Sequence, residues 1–367
     1  MIRILVFGMT ENPGGVESFL MNYYRYIDRD KIQFDFLANS HKDIAYEQEI
    51  LSMGGRIFHI TARSENLKLY KNELNKLFVE HSGEWQAIWV NVCSLANIDY
   101  LKIAKKFKIK KRIIHSHNSQ NMDNKMRGIL HCINKHRVKE YATDFWACSE
   151  DAAKWFYDNA ENVVIIHNAI DIENLAFDEE KRKKIRDSVN GNDEFIIGNI
   201  GRLHFQKNQM FVLDIYGEIN KKIGNSKLIL IGQGEDEYEL KEKCKLLGID
   251  DNVIFTGVQN NIGEWLSAFD IFLFPSLFEG LGIAALEAQA NGVPVLASDK
   301  VIPKDVKMND NFVFYDLNKS ALEWANRLLQ IKDTMYRETN ENIMKNFEKN
   351  GYNVATEVQK LERLLME

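Results

Sequence analysis

The sequence predicts an α/β protein built from two doubly wound, mostly parallel sheets. Short apolar runs typical of buried strands alternate with amphipathic stretches of helical spacing almost from end to end. These runs form one series within residues 4–166 and a second within residues 195–314. Between them, residues 173–193 are dense in charge, lack strand signals and end in a turn-like cluster. Two such series predict two Rossmann-like domains.

We place the domains at residues 1–175 and 176–345. Residues 318–367 have helical signals only, and we expect residues 346–367 to form a C-terminal helix that crosses back to the first domain. The spacing of apolar residues alone does not show that crossing. We find no internal repeat and no low-complexity segment.

Composition restricts the class of protein. The chain has 367 residues, of which 45% are hydrophobic, as in ordered globular proteins. A net charge of −6 argues against nucleic acid as the partner. The four cysteines follow no metal-ligand spacing, and the first residues enter a strand directly. No apolar run approaches the length of a membrane span. We therefore expect a cytoplasmic protein with reduced thiols.

The stretch at residues 269–298 contains the most informative pattern. An apolar strand ends at Pro275, a loop follows, and a helix begins near Ile283. Gly280 and Gly282 let the backbone approach a ligand, and the helix N-terminus favours an anion such as a diphosphate. Glu279 and Glu287 would repel a phosphate, so we expect them to bind hydroxyl groups. A diphosphate flanked by hydroxyl groups is a nucleotide-sugar.

A second candidate segment follows the strand at residues 196–200. Arg202 and Lys207 suit phosphate oxygens and would neutralise a leaving diphosphate without a metal. The alternative is a solvated pair of surface cations. The glycine turn at residues 231–235 is a weaker signal of a ligand site. Residues Thr256 to Val258 follow another strand, where their backbone could contact a base.

Two further segments that are candidates for ligand binding lie before residue 120. Gly14 and Gly15 open a helix after the first strand, which suits an anion or a sugar, although a glycine pair in a loop is more often a simple turn. Their spacing does not match the dinucleotide fingerprint. His117, in the segment 116–119, ends a strand where ligands bind in doubly wound sheets. The alternative for His117 is a surface or capping histidine.

Residues 101–112 carry seven basic residues among twelve, with apolar residues between them, and residues 125–139 add more. One interpretation is a solvated helix face. The other is a patch for anionic lipid headgroups or a lipid-diphosphate acceptor, formed by Lys105, Lys106 and Lys110.

Together these motifs resemble the retaining nucleotide-sugar glycosyltransferases of family 4, which have the GT-B fold with two Rossmann-like domains facing a central cleft. Glu279 and Glu287 match the Glu-x7-Glu motif of that family, and residues 201–208 match its Gly-Arg…Lys phosphate motif. The glycine loop after the first strand, the HSHN segment and residues 166–171 also match. Ala169 departs from the pattern, where glycine is common.

The resemblance implies an acceptor-binding N-terminal domain and a donor-binding C-terminal domain. Within the donor site, it assigns the diphosphate to Arg202 and Lys207, the sugar hydroxyls to Glu279 and the ribose hydroxyls to Glu287. His117 would approach the sugar from the other domain. The remaining contacts would come from Gly15, Val258, Gly280, Leu281 and Gly282.

The expected activity is metal-independent transfer, with retention, to a lipid-linked or polysaccharide acceptor in surface polysaccharide (exopolysaccharide or capsule) biosynthesis. The donor would be a UDP-sugar, although GDP is open, and the enzyme would be cytoplasmic or peripheral on the inner face of the plasma membrane. Two alternatives are a non-catalytic transferase-like partner subunit and a nucleotide-sugar epimerase on the same fold.

Overall fold

The computed structural model describes residues 1–118, 125–159 and 161–367. The strands are β1 (Ile2–Phe7), β2 (Ile32–Ala38), β3 (Arg56–His59), β4 (Ala87–Val92), β5 (Lys111–Ser116), β6 (Asp144–Ala147), β7 (Val164–Ile165), β8 (Phe195–Ile200), β9 (Ser226–Ile231), β10 (Val253–Phe255), β11 (Ile271–Phe274), β12 (Val295–Ser298) and β13 (Phe312–Tyr315).

The helices are α1 (Gly15–Tyr26), α2 (Glu47–Ser52), α3 (Leu67–His81), α4 (Asp99–Lys106), α5 (Lys125–Arg137), α6 (Glu150–Phe156), α7 (Ile172–Leu175), α8 (Glu179–Ser188), α9 (Gln209–Lys222), α10 (Glu237–Leu247), α11 (Ile262–Ala268), α12 (Ile283–Ala290), α13 (Ala321–Thr334), α14 (Asn340–Asn350) and α15 (Val354–Met366). Strands and helices alternate in the order that the apolar periodicity predicted.

The chain divides into two compact units, with Met1–Ala169 and Val354–Glu367 in unit 1 and Ile170–Asn353 in unit 2. The sequence-based bounds were 175/176 and 345/346. Residues 170–175 belong to unit 2 because α7 packs beside α11 and the Asn291 amide donates to the Leu175 carbonyl at 2.7 Å.

Unit 1 contains a parallel sheet with the strand order β3-β2-β1-β4-β5-β6-β7. Apolar side chains bury both faces, with Phe34 and Trp89 on one face and Leu5 and Ile88 on the other. Helix α15 packs against α1 and buries Val354, Val358, Leu361 and Leu365. The C-terminal helix therefore belongs to the core of unit 1.

Unit 2 contains a second parallel sheet with the strand order β10-β9-β8-β11-β12-β13. The order reverses between β8 and β11, which are neighbours although two strands separate them in the chain. In open α/β sheets, ligands bind beyond the carboxyl ends of strands at such a switch point. The loops after β8 and β11 carry the strongest sequence motifs.

The charged segment at residues 173–193, in which we placed the domain boundary, contains a helix. Ten of its 21 residues form α8, which Asp178 caps by accepting a hydrogen bond from the Lys181 amide. Arg182 and Arg186 of this helix both pair with Asp270, at 2.6 and 2.5 Å. These ion pairs hold α8 against unit 2. The high charge of the segment reflects these contacts as well as solvation.

Within the described ranges, no helix combines the length and the apolar character that crossing a lipid bilayer requires.

Candidate active site

The best-defined part of the site joins the loops after β8 and β11. Lys207 Nζ lies 2.6 Å from Glu279 Oε1, and only 23% and 7% of these side chains are exposed. The Leu277 amide donates to the Gln206 carbonyl at 2.8 Å, which ties the two loops together. The ammonium group of Lys207 also lies 5.2 Å from the centre of the Phe274 ring. Two residues predicted from separate motifs are therefore direct partners at the switch point.

Glu287 lies in the second turn of α12 and is partly buried. Burial raises the pKa of this carboxyl to about 7, although the charge of Lys207 opposes the increase. Among the described residues, no side chain donates a hydrogen bond to the Glu287 carboxylate. Because its oxygens can still accept hydrogen bonds, this carboxyl group is suited to bind hydroxyl groups of a ligand.

Helix α12 begins directly after the glycine loop. Gly282 has a φ of +83° at the N-cap, a left-handed conformation that favours glycine. Gly280 and Leu281 precede it, and Leu281 is buried. The first amide N–H groups of a helix have no acceptors within the helix. This loop therefore presents backbone donors beside Glu279, as the sequence predicted for an anion site.

Arg202 is engaged elsewhere. Its guanidinium pairs with Glu235, with Nη2 2.9 Å from Oε2, and both side chains are well exposed. His204 Nε2 lies 3.3 Å from the other carboxylate oxygen of Glu235. A hydrogen bond from the backbone amide of Glu235, assisted by the charges of Arg202 and His204, lowers the pKa of this carboxyl. Glu235 and His204 are candidate site residues that the sequence reasoning did not select.

The glycine turn after β9 explains how Glu235 reaches Arg202. A Cβ atom on Gly232 would lie 2.1 Å from the Gly201 carbonyl oxygen, and one on Gly234 equally close to that of Leu203. The Leu203 amide also donates to the Gln233 carbonyl at 3.1 Å. The two glycines are thus required because the loops after β8 and β9 are in backbone contact. The turn was a weak signal alone because this contact is long-range.

Apolar side chains at the ends of three strands are exposed. Phe205, Val258 and Leu277 follow β8, β10 and β11 and expose 65%, 52% and 48% of their surfaces. The Gly232 amide donates to the Gly257 carbonyl, which fixes the segment before Val258. All three residues follow the carboxyl ends of their strands, and the sequence predicted backbone contacts with a base for the segment that contains Val258.

In unit 1, His117 lies just after β5 and is 9% exposed. Its Nε2 is 2.9 Å from Asn91 Oδ1, and the Asn91 amide nitrogen donates to the Phe7 carbonyl. This orientation of Asn91 requires the proton of His117 on Nε2. Burial lowers the pKa of His117 to about 3, although the neighbouring Asn168 side chain opposes this decrease. His117 is therefore neutral at physiological pH, and Ser119 of the same motif lies outside the described residues.

The structure brings two sequence motifs together here, because Asn168 belongs to the segment at residues 166–171. Ala169, which departs from the family pattern, is fully buried and does not have a positive φ. Its carbonyl accepts a hydrogen bond from Asn22 Nδ2 at 3.1 Å. Alanine therefore fits this turn without the strain that a left-handed conformation would impose.

Gly15 is the first residue of α1, after Gly14 at the N-cap. Two residues later, Glu17 is buried and accepts a hydrogen bond from the Thr10 hydroxyl at 2.6 Å. Burial raises the pKa of Glu17. A buried carboxyl beside the glycine loop is a further candidate that the sequence analysis missed.

The basic residues of α4 make contacts within unit 1. Lys105 Nζ donates to the Glu140 carbonyl at 2.7 Å, and Lys106 Nζ to Asn75 Oδ1 at 3.0 Å. Lys106 also lines a groove of about 260 Å³ between α3 and α4. Lys110 is exposed. The patch is therefore partly engaged with the protein itself.

Comparison with known proteins gives the family. The family model described as glycosyl transferases group 1 matches residues 180–353. The putative glycosyltransferase EpsF of Bacillus subtilis (strain 168) is 31% identical over 309 residues, which cover 80% of this chain and 78% of EpsF. A UDP-Gal:alpha-D-GlcNAc-diphosphoundecaprenol alpha-1,3-galactosyltransferase of Escherichia coli is 25% identical over 224 residues. The aligned region covers 59% of this chain and 57% of the galactosyltransferase.

Solved structures agree on the fold. The Anabaena protein HepE, crystallised with UDP and glucose, superposes with a TM-score of 0.81 at 19% identity over the full length of both chains. The lipopolysaccharide glycosyltransferase WaaG superposes with a TM-score of 0.71 at 13% identity, over 99% of each chain. The two Rossmann-like units, each with a parallel sheet, and the similarity to these structures identify the GT-B fold, as the motifs implied. With EpsF aligned over most of both chains, the protein belongs to the group 1 glycosyltransferases.

Proposed function

We propose that this protein is a retaining glycosyltransferase of family 4 that transfers a sugar from a UDP-sugar to a lipid-linked or polysaccharide acceptor. The observation that carries the proposal is the switch-point cluster of Lys207, Glu279 and Glu287 at the N-terminus of α12. A cation, backbone donors and two carboxyl groups suit a diphosphate with hydroxyl groups on both sides.

In this proposal, Lys207 and Arg202 bind the diphosphate. The donor displaces Glu279 from Lys207, so that Glu279 turns to the sugar hydroxyls while phosphate oxygens take its place. Backbone amides of Gly280, Leu281 and Gly282 complete the anion site, and Glu287 binds the ribose hydroxyls. Val258 lies beside the base.

The transfer step forms a bond between the acceptor hydroxyl oxygen and the anomeric carbon on the face from which the diphosphate leaves. The carbon–oxygen bond to the diphosphate breaks, and its electron pair goes to the departing phosphate oxygen. That oxygen takes the acceptor proton. Arg202 and Lys207 stabilise the charge that develops on the leaving group, so that no metal ion is needed. His117, which is neutral at physiological pH, and Gly15 are the further residues that we propose to take part in substrate binding.

The acceptor assignment draws on the relatives. The Escherichia coli relative acts on a sugar linked to diphosphoundecaprenol, as its name states. We propose a lipid-linked acceptor of this kind for the present protein and a position at the cytoplasmic face of the membrane. Lys105, Lys106 and Lys110 would then face anionic headgroups or the diphosphate of the acceptor.

The test is a transfer assay with purified protein, radiolabelled UDP-sugars and undecaprenyl-diphosphate-linked saccharides, with and without EDTA. Transfer of label to the lipid phase that persists in EDTA supports the proposal. An isomerised UDP-sugar formed without acceptor indicates an epimerase and contradicts it. Absence of any transfer by a protein that binds UDP favours a non-catalytic subunit. Lys207→Met protein serves as the control for contaminating transferases.

A further inference from the structure

Helix α5 has its polar and apolar faces in an unusual arrangement. Met126, Ile129, Leu130 and Ile133 expose 74%, 61%, 38% and 49% of their surfaces, whereas His131 and Asn134 are buried. The four apolar residues follow an i, i+3, i+4, i+7 spacing and form one continuous stripe. Helices on globular proteins normally direct such a stripe to the core, so the exposed stripe of α5 requires an explanation.

The polar face of α5 is firmly attached to unit 1. The Asn134 amide donates to the Leu95 carbonyl at 2.7 Å, and His131 Nδ1 accepts from the Leu95 amide at 3.1 Å. The His131 ring stacks on Trp155 with 4.2 Å between ring centres, and Lys135 Nζ donates to the Trp155 carbonyl. These specific contacts fix the rotation of the helix. The apolar stripe therefore faces outwards because the polar side chains are held inside.

The charged side chains of α5 itself are all basic, although Asp158, from another segment, pairs with His136 of the helix at 2.6 Å. Helix α5 contains no Asp or Glu, although the whole chain has a net charge of −6. Lys125 and Arg137, near the two ends of the helix, are exposed. Arg137 also donates to the Tyr141 hydroxyl at 3.3 Å, and Lys102 and Lys105 lie over the Tyr141 ring. The stripe is thus continuous with the basic end of α4.

We propose that the stripe formed by Met126, Ile129, Leu130 and Ile133 docks on an anionic phospholipid bilayer. An apolar stripe bordered by Lys and Arg suits the boundary between headgroups and acyl chains, where the apolar side chains enter and the cations remain among the phosphates. A neutral protein surface would complement the stripe but not the excess of cations. A lipid-linked acceptor, as in the proposed function, would explain why the protein has such a surface. Docking on lipid does not itself require the transfer reaction.

The test is flotation of the full-length protein with vesicles of phosphatidylcholine alone or mixed with phosphatidylglycerol, without any donor. The test variant is Ile129→Ser/Ile133→Ser. Its matched control is Val79→Ser/Leu246→Ser, which removes two apolar side chains that are 63% and 87% exposed on α3 and α10. A UDP-induced thermal shift equal to that of the wild type, in either variant, verifies that unit 2 is folded. Circular dichroism verifies the helices of unit 1.

We expect the wild type and the control variant to float with the mixed vesicles, and more weakly with phosphatidylcholine alone. The Ile129→Ser/Ile133→Ser variant should bind the mixed vesicles at least roughly tenfold more weakly, because each buried isoleucine contributes about that factor. Equal binding by this variant, or no binding by the wild type, would overturn the proposal. So would a wild-type dimer in solution that the variant converts to a monomer, since the stripe would then be a self-association surface.

Cys132 provides a second, independent measurement. This residue is exposed on α5, as is Cys93 on another segment, whereas Cys148 and Cys244 are buried. An environment-sensitive fluorophore attached to Cys132 in a Cys93→Ser protein should shift to shorter wavelength with mixed vesicles. A fluorophore on a cysteine introduced at Val79 should not shift. An unchanged spectrum at Cys132 with bound vesicles would place the lipid contact elsewhere and contradict the proposal.

Discussion

Two ion pairs extend from the loop after β8, and they differ in burial. Lys207 pairs with Glu279 where 23% and 7% of the side chains are exposed, whereas Arg202 pairs with Glu235 where 67% and 49% are exposed. The first pair joins loops at the switch point, and the second crosses to the loop after β9. Sequence motifs grouped Arg202 and Lys207 as equivalent phosphate ligands, but the structure places them in different surroundings.

This difference in burial indicates what each cation contributes to stability in the absence of a ligand. A surface ion pair adds little to stability because solvent screens it, so Arg202 and Glu235 can separate at low cost. Removing one partner of a buried pair leaves an uncompensated charge, which is strongly destabilising. Lys207 should therefore act in both stability and donor binding, and Arg202 in donor binding alone.

The largest expected effect is that of Lys207→Met. It removes the buried cation, so we expect a loss of about 3 kcal/mol in the free energy of unfolding and a decrease of at least roughly tenfold in UDP affinity. Urea denaturation and calorimetric titration measure the two quantities. The Lys207→Met/Glu279→Gln variant removes the stranded carboxylate and should recover most of the stability but not the affinity. Unchanged UDP affinity in a folded double variant would contradict the phosphate role of Lys207.

Glu287 extends the comparison because it is partly buried and, within the described part of the chain, has no ion-pair partner at hydrogen-bond distance. Its pKa of about 7 exceeds the unfolded value, so the folded state retains the proton between about pH 4.5 and 7. Wild-type stability should therefore fall relative to Glu287→Gln as pH rises through this range, by up to about 1.4 kcal/mol per pH unit. Urea unfolding at several pH values gives the difference. A difference that does not depend on pH would contradict this environment for Glu287.

Arg202→Gln tests the exposed pair. We expect UDP affinity to fall roughly tenfold, because a charge-assisted contact to phosphate is lost. The melting temperature without nucleotide should remain that of the wild type, since the pair is solvated. Arg202→Lys should recover only part of the affinity, because an ammonium group lacks the planar fork of Arg. A marked loss of stability in Arg202→Gln would remove the distinction between the two pairs.

The smallest expected effect concerns Glu235. Its carboxylate competes with phosphate for Arg202, so Glu235→Gln should strengthen UDP binding by a few-fold. The control is Arg202→Gln/Glu235→Gln, in which the second substitution should no longer change affinity. Titration calorimetry on the four proteins gives the coupling. Weaker binding in Glu235→Gln would show instead that this carboxylate helps to bind the donor.

Much of the region around the switch point of unit 2 could be predicted because its signals are local. The strand before Pro275, the loop glycines and the helix from Ile283 lie within about a dozen residues, and apolar periodicity places Glu279 and Glu287 beside a helix N-terminus. Arg202 and Lys207 follow a strand in the same way. Their order in the chain was therefore enough to predict a common edge of the sheet.

The rest depends on contacts between distant segments. Sequence could not show that Glu279 pairs with Lys207 or that Glu235 pairs with Arg202, because both pairings depend on strand order. The sequence also could not show how α8 packs, because its Arg182 and Arg186 pair with Asp270, far along the chain. The direction of α5 depends on Leu95 and Trp155, so its composition alone left open both a solvated face and a patch for anionic lipid.

The most direct test of the central claim, a nucleotide-sugar site at the switch point of unit 2, is the thermal shift of the wild type with UDP, GDP and ADP, with and without EDTA. A ligand that binds only the folded state adds about 2.7 kcal/mol of stability at a hundredfold excess over its dissociation constant. We predict a UDP-selective shift that persists in EDTA and is lost in Lys207→Met/Glu279→Gln. The absence of a shift with any nucleotide, or an equal shift in that variant, would contradict the site.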